Sequence, residues 1–350
     1  MSYTIERVSP ADRRLNRKVD DLLRRGGIDR DRHLDYTCAM LDDDYNVVAT
    51  GSCFGNTLRC FAVDPAHQGE GLLNEVVSHL MEVQMQRGNA HLFVYTKCES
   101  AKFFGSLGFF EIARAGDRVA FMENRRDGFS GYLRQLAAQA PAPQPGQKVG
   151  ALVMNANPFT LGHQYLAETA AARCDRLMLF VVSEDASLVP FDVRWRLVRA
   201  GTAHLSNVVY CQTGPYMISN ALFPSYFLKE DALVSESHAR LDVAVFRRIA
   251  AALGISERFV GEEPTSAVTG LYNRAMLEGL NGDGMACRVI PRKAWEGQAI
   301  SASTVRRLIH DGQLERIRPL VPESTYRYFA SPEAAPVIAR IRAEGDVVHH

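Results

Sequence analysis

Residues 149–163, Val149-Gly-Ala-Leu-Val-Met-Asn-Ala-Asn-Pro-Phe-Thr-Leu-Gly-His163, pass from a continuous apolar run through a polar loop into a helical pattern. A short apolar run bounded by turn residues reads as a buried strand, and in an open parallel sheet ligands collect at the carboxyl ends of strands. The helix that follows offers unpaired N–H groups and the positive end of its dipole, a combination suited to phosphate. Gly162 permits close backbone approach. Thr160 and His163 put a hydroxyl and an imidazole on the first helical turn, where both can donate to phosphate oxygens. Residues 300–306, Ile300-Ser-Ala-Ser-Thr-Val-Arg306, form a second polar turn into a helix. Ser303 and Thr304 can cap it and meet phosphate, and Arg306 can neutralise phosphate charge through paired hydrogen bonds. Taken singly, each has a plainer reading: a satisfied histidine, ordinary caps, a surface ion pair. Two such segments in one chain point to polyphosphate.

Thr160-Leu-Gly-His163 resembles the H/T-x-G-H signature of the nucleotidyltransferase superfamily, and residues 300–306 resemble its second signature, I-S-S-T-x-x-R. That resemblance implies attack on the α-phosphate of ATP with pyrophosphate leaving, helped by positioned donors and Mg²⁺, without a covalent intermediate on the enzyme. Around the signatures stand Ser183-Glu-Asp, Pro190-Phe-Asp-Val-Arg194, Phe223-Pro-Ser-Tyr-Phe-Leu-Lys229, Arg258-Phe-Val-Gly-Glu-Glu-Pro264, Leu271-Tyr-Asn-Arg274 and Ile290-Pro-Arg-Lys293. Together these resemble the citrate lyase ligase family, over nearly the whole chain. The resemblance implies an acid–thiol ligase that activates acetate as acetyl-adenylate. The acetyl group then passes to the thiol of the dephospho-CoA-derived prosthetic group on the citrate lyase acyl carrier subunit. It also implies roles. Thr160 and His163 would stabilise the α-phosphoryl charge, Gly162 would let the backbone reach it, and Asn157 would orient a phosphate or the acyl oxygen. Ser303, Thr304 and Arg306 would hold the β- and γ-phosphates. Arg194 and Lys229 would contact phosphate or carboxylate, with Gly261 and Glu262 near the adenosine. No pattern assigns metal ligands.

Nearer the start, Gln68-Gly-Glu-Gly-Leu-Leu73 resembles the pyrophosphate-binding turn of GNAT-type N-acetyltransferases, roughly Q/R-x-x-G-x-G/A, and Ala101-Lys-Phe-Phe-Gly-Ser-Leu-Gly-Phe109 resembles a later helix and turn of that fold. Free amides at a glycine-bearing helix start suit the pyrophosphate of CoA. Leu73 stands where a small residue often lets pyrophosphate come close, which argues against an independent acetyltransferase. The expectation is a domain that docks the CoA-like arm, through Gln68, Gly69 and Gly71, or docks the lyase itself.

The elements that must hold these residues fall into two groups, as expected for 350 residues when a domain commonly takes about 150. Residues 139–147, with three alternating prolines and a glycine, read as a linker. Before it, residues 35–40 and 47–54 read as a hairpin, followed by a strand at 58–63, a helix at 72–86, a strand at 91–95 and a helix opening near residue 100. After it, strands at 149–154, 177–182, 208–211, 258–260 and 288–291 alternate with helices at 162–172, 193–203 and 241–253, the pattern of a parallel sheet with crossover helices. The fold class expected is α/β: a small mixed acetyltransferase-like domain over 1–138, then a Rossmann-like parallel-sheet nucleotidyltransferase domain over 148–320, with a helical tail over 321–350.

Composition narrows the function further. Forty Lys and Arg balance forty Asp and Glu, so bulk charge does not suggest a nucleic-acid reader. Apolar runs fall far short of the roughly 18 residues a membrane helix needs, and the first residues lack a signal-peptide pattern; a cytoplasmic protein is expected, with neither nucleic acid nor membrane as a partner. Seven cysteines without any C-x-x-C pair suggest reduced core residues. His67, His79 and His91 have no partner motif and default to structure. Two other functions fit the same motifs: adenylylation of a phosphate-bearing cofactor precursor, and a CoA-dependent acetyltransferase or carrier-binding regulator.

Overall fold

The computed structural model describes residues 2–31, 33–183, 187–217, 223, 228, 231–262, 267–281 and 285–345. The chain divides into two units, Met1–Phe129 with Pro224–Ala244, and Ser130–Phe223 with Val245–His350. Among the described residues no helix is long and apolar enough to cross a membrane.

The first unit is built on strands β1 (Thr4–Arg7), β2 (Tyr36–Leu41), β3 (Val47–Phe54), β4 (Thr57–Val63), β5 (Phe93–Lys97), β6 (Phe110–Ala115) and β7 (Val119–Glu123), in the sheet order β1-β2-β3-β4-β5-β7-β6. Neighbours run antiparallel except β4 and β5. These are parallel and pair only at Thr57 with Phe93 and Leu58 with Val94, so beyond that point no ladder joins them. Helices α1 (Arg13–Arg25), α2 (Leu72–Gln86) and α3 (Ala101–Ser106) belong to this unit, α4 (Gly128–Ala137) begins at the end of its first segment, and the helix that starts at Asp231 lies in it as far as Ala244. In α2, Leu72, Val76, Val77 and Leu80 are all buried, the one-sided stripe of a helix lying on a sheet. They join Met40, Val48, Leu58, Val94, Phe104 and Met122 in one apolar core, together with Cys38 and Cys53.

The second unit carries β8 (Val149–Met154), β9 (Arg176–Val181), β10 (Val208–Gln212), β11 (Glu257–Gly261) and β12 (Ala286–Ile290), all parallel, in the order β10-β9-β8-β11-β12. Leu177 to Val181 are buried without a break, as a strand covered on both faces requires. The helices are α5 (Leu161–Ala171), α6 (Phe191–Gly201), the end of α7 (Asp231–Leu253) from Val245 onward, α8 (Ala267–Leu280), α9 (Ala302–His310), α10 (Glu323–Ala330) and α11 (Ala335–Ala343). Tyr328, Phe329, Val337 and Ile341 from the last two share one core with Leu152, Phe159 and Leu179. Residues 139–147 hold no helix or strand, and the Pro141 carbonyl accepts from Arg176 at 2.6 Å. Both sheets of the expected α/β class are therefore present. One expected feature moves: α9 is capped by Ser301, whose hydroxyl accepts from the Thr304 N–H at 3.1 Å, so Ser303 and Thr304 lie inside its first turn.

Strand order in the parallel sheet reverses between β8 and β11. Successive strands step outward from β8 to β10, and the chain then returns to lay β11 on the other side of β8. At such a reversal the crossovers leave opposite faces, and a crevice opens beyond the carboxyl ends.

Candidate active site

The loop from β8 to α5 leaves the carboxyl end of the central strand at this reversal. Two buried arginines hold it. Arg194, on α6 and fully buried, donates from Nη1 to the Asn155 and Val182 carbonyls at 2.9 and 2.7 Å and to Asn155 Oδ1 at 2.9 Å, and from Nε to the Val189 carbonyl at 2.9 Å. Arg306, on α9 and 2% exposed, donates to the Asn157 carbonyl at 2.6 Å and to Ser303 Oγ at 3.3 Å. Between these anchors Ala156 is held at φ 53°, a left-handed conformation that a β-carbon disfavours and that persists when the surroundings over-determine it. The Asn157–Pro158 bond is cis. Asn157 itself is 3% exposed; its Oδ1 accepts from the Val189 N–H at 3.0 Å, while its Nδ2 meets no acceptor among the described residues. A buried amide donor without an acceptor costs about 1–3 kcal/mol. At a strand's carboxyl end, that points to a ligand oxygen.

Thr160 caps α5 and forms a capping box with His163 in the place usually held by Glu or Gln. The Thr160 backbone N–H donates to His163 Nδ1 at 3.1 Å, and the His163 N–H donates to Thr160 Oγ1 at 3.3 Å. A backbone N–H can only donate. Nδ1 must therefore present its lone pair, which leaves the ring proton on Nε2. Burial, with the nearby charge of Arg292, pushes the His163 pKa down to about 4. At neutral pH the imidazole is uncharged and keeps a single N–H donor whose tautomer the helix cap has fixed. Thr160 is buried and its hydroxyl lies 2.9 Å from the same Nδ1, so it helps to set the ring.

The two polar segments meet directly. A β-carbon on Gly162 would stand 3.0 Å from the Ile300 carbonyl oxygen and 3.4 Å from Thr160 Oγ1, so glycine lets the start of α5 close on the approach to α9. Ser303 and Arg306 thereby join Asn157, Thr160, Gly162 and His163 at one sheet edge. Thr304 sits inside the α9 cap, its hydroxyl 2.9 Å from Ser301 Oγ. Gly261 ends β11, its carbonyl accepting from Asn273 at 3.2 Å; the N–H of exposed Glu262 donates to Ile290 at 2.9 Å. Lys229 lies outside the described residues. Arg292, just past β12, was not among the residues singled out from the motifs. Its Nε donates to the Glu262 carbonyl at 2.7 Å, and burial lowers its pKa. The signal was available, since Arg292 follows a strand at the ligand edge as Gly261 does.

In the first unit, Gln68 to Gly71 form an exposed turn at the carboxyl end of β4. Gly69 and Gly71 hold φ 89° and 81°, and Gly71 caps α2 without a side-chain bond, so the first amides of α2 are reached through backbone only glycine adopts readily. Glu70 in this turn is engaged by the Tyr3 hydroxyl and by His67.

The family model described as the citrate lyase ligase C-terminal domain matches residues 149–329. A citrate (pro-3S)-lyase ligase from Klebsiella pneumoniae is 40% identical over 323 residues, covering 89% of this chain and 94% of that protein. Proteins of the same name from Haemophilus influenzae and Escherichia coli are 36% and 38% identical, covering 92% and 81% of this chain and 97% and 82% of their own lengths.

Proposed function

The chain belongs to the citrate lyase ligase family, and from that membership we propose that its parallel-sheet unit activates acetate with ATP and delivers the acetyl group to a thiol on citrate lyase. Acetate oxygen attacks the α-phosphorus, and pyrophosphate leaves as acetyl-adenylate forms. The thiolate then attacks the acyl carbon, AMP leaves, and the lyase carries a thioester. The thiol is the one on the dephospho-CoA-derived prosthetic group of the acyl carrier subunit. Charge that develops on the α-phosphoryl oxygens needs donors already aimed at it. His163 Nε2–H is such a donor, and the amides of the first turn of α5 supply others. Asn157 Nδ2 would take a phosphate or acyl oxygen, and Ser303 with Arg306 would border the leaving pyrophosphate. Gly261 and Glu262 would lie by the adenosine. Arg194 serves these residues by bracing the loop that carries them.

Among the described residues no group of three His, Cys, Asp or Glu side chains gathers to hold a metal ion. Magnesium, which commonly binds through substrate phosphates, is assigned to the MgATP substrate. In the first unit, the turn at Gln68, Gly69 and Gly71 would receive the pyrophosphate of the CoA-like arm. The relatives carry the name of the ligase, not that of an adenylyltransferase acting on cofactor precursors or of an acetyltransferase.

The observation that carries the mechanism is the neutral, tautomer-fixed His163 at a helix start on the sheet's reversal point. The test is to incubate deacetylated, thiol-form citrate lyase with this protein, ATP and acetate. One AMP per acetyl group transferred, with recovery of lyase activity, is the expected result. ADP in place of AMP, or no acetylation, would overturn the proposal.

A further inference from the structure

Between Lys293 and Ile300 the chain makes a small hairpin, Ala294–Trp295 paired with Gln298–Ala299. Glu296 and Gly297 form its turn at φ 50° and 78°, the two left-handed residues of a type I′ turn. Its base is closed by the Ile300 N–H on the Lys293 carbonyl at 3.0 Å. That base adjoins the site on both sides: Arg292 precedes it, and the Ile300 carbonyl is the group that meets Gly162. Trp295 is 48% exposed. Among the described residues of this unit the other exposed large apolar side chain is Val289, on the edge strand β12 that leads to the hairpin.

Trp295, about half exposed beside a tight turn, stands outside this unit's apolar core, and exposed aromatics beside a polar site commonly mark a binding surface. Lys293, exposed, and Arg292, half-buried, put two cations beside it. Resting on the ligase function proposed above, we infer that this hairpin is the edge along which the thiol-bearing arm of the carrier enters the adenylate site. Trp295 lies along the apolar amide chain of the arm, and Lys293 and Arg292 favour an anionic partner at this edge. The hairpin acts on the second half-reaction alone, since the acetate and the phosphates are held by the loop after β8 and by α9, and the adenosine by Gly261 and Glu262 at the end of β11.

Trp295→Ala and Trp295→Phe separate the two half-reactions. Exchange of labelled pyrophosphate into ATP, with acetate and without lyase, reads adenylation and also reports correct folding. Acetylation of thiol-form citrate lyase, and of free dephospho-CoA, reads the transfer. For Trp295→Ala, exchange and the KM for ATP should stay within about twofold. The kcat/KM for the lyase should fall about tenfold or more, as when a central aromatic anchor is truncated, and dephospho-CoA should show a similar fall. Trp295→Phe should recover most of the loss. Unchanged lyase kinetics would overturn the inference. So would a raised KM for ATP in the exchange assay, which would make Trp295 part of the nucleotide pocket. Absence in the wild-type protein of acetate-dependent exchange, both without and with thiol-form citrate lyase, would overturn the ligase function and the inference together, and it is told apart because it needs no variant.

Discussion

Replacing Gly162 with alanine perturbs the meeting of the two phosphate segments with a single methyl group. The added β-carbon would lie 3.0 Å from the Ile300 carbonyl oxygen, 3.4 Å from Thr160 Oγ1 and 3.7 Å from Ile300 Cβ. The first contact is too close, so the approach to α9 must retreat by a few tenths of an ångström. Global stability should scarcely change. Alanine is favoured over glycine within a helix by up to about 1 kcal/mol, and moderate overpacking costs about 1 kcal/mol or more, so the two nearly offset. Rate is more sensitive, because a misplacement of about 1 Å at a reacting centre can cost about 100-fold. A shift of a few tenths should lower acetate-dependent pyrophosphate exchange by about tenfold. Exchange kinetics and urea denaturation on the same preparation read both quantities. Exchange within twofold of wild type, at unchanged stability, would refute the claim that spacing between these segments sets the rate. A large loss of stability would show instead that Gly162 serves the fold.

His163→Ala should lower turnover by roughly 10²–10³, the usual cost of one transition-state donor, with a wild-type denaturation curve; a near-normal rate would remove His163 from the mechanism. The pH dependence of stability has a definite sign. The His163 pKa is about 4 in the folded chain and about 6.5 when unfolded, so its contribution is complete above about pH 6.5 and is lost as pH falls toward 4. His163→Gln should therefore lose less stability than wild type between pH 7 and 4.5 in urea titrations, and an equal loss would contradict the half-buried, neutral imidazole. Arg194→Ala should destabilise the protein by about 3 kcal/mol or more, because it strips buried carbonyls of Asn155, Val182 and Val189 of their donor. Unchanged stability with lost ATP affinity would instead make Arg194 a ligand contact.

Strands buried on both faces were the most legible elements. Val149–Met154 is apolar throughout because β8 is the central strand of a parallel sheet, and its span matches the expectation. Helix α2 was equally plain, its buried stripe spaced at the helical period. Helix α1 was not, because only Val19, Leu22 and Leu23 of its thirteen residues are buried and six are Arg or Lys; its helicity rests on the Asp12 cap and on packing that no local pattern displays. Strand β6 is similarly masked, with Phe110, Glu111 and Arg114 exposed. At the site, residue types indicated phosphate chemistry, but they could not say which groups face outward. The pattern could not show that the Thr160 hydroxyl also meets the histidine ring, or that Arg306 also reaches 149 residues back to the Asn157 carbonyl. Such long-range partners are fixed by the topology, and it is topology too that brings Arg292 beside His163.

The central claim is that acetate oxygen attacks the α-phosphorus at the start of α5. It is tested most directly with acetate labelled in both oxygens with ¹⁸O, in a complete reaction with ATP and thiol-form citrate lyase, followed by mass spectrometry of the products. Attack at the α-phosphorus predicts AMP carrying one ¹⁸O, since the bridging oxygen stays on phosphorus when the thiolate takes the acyl group, and pyrophosphate carrying none. Unlabelled AMP, or label in pyrophosphate or in inorganic phosphate, would contradict the account.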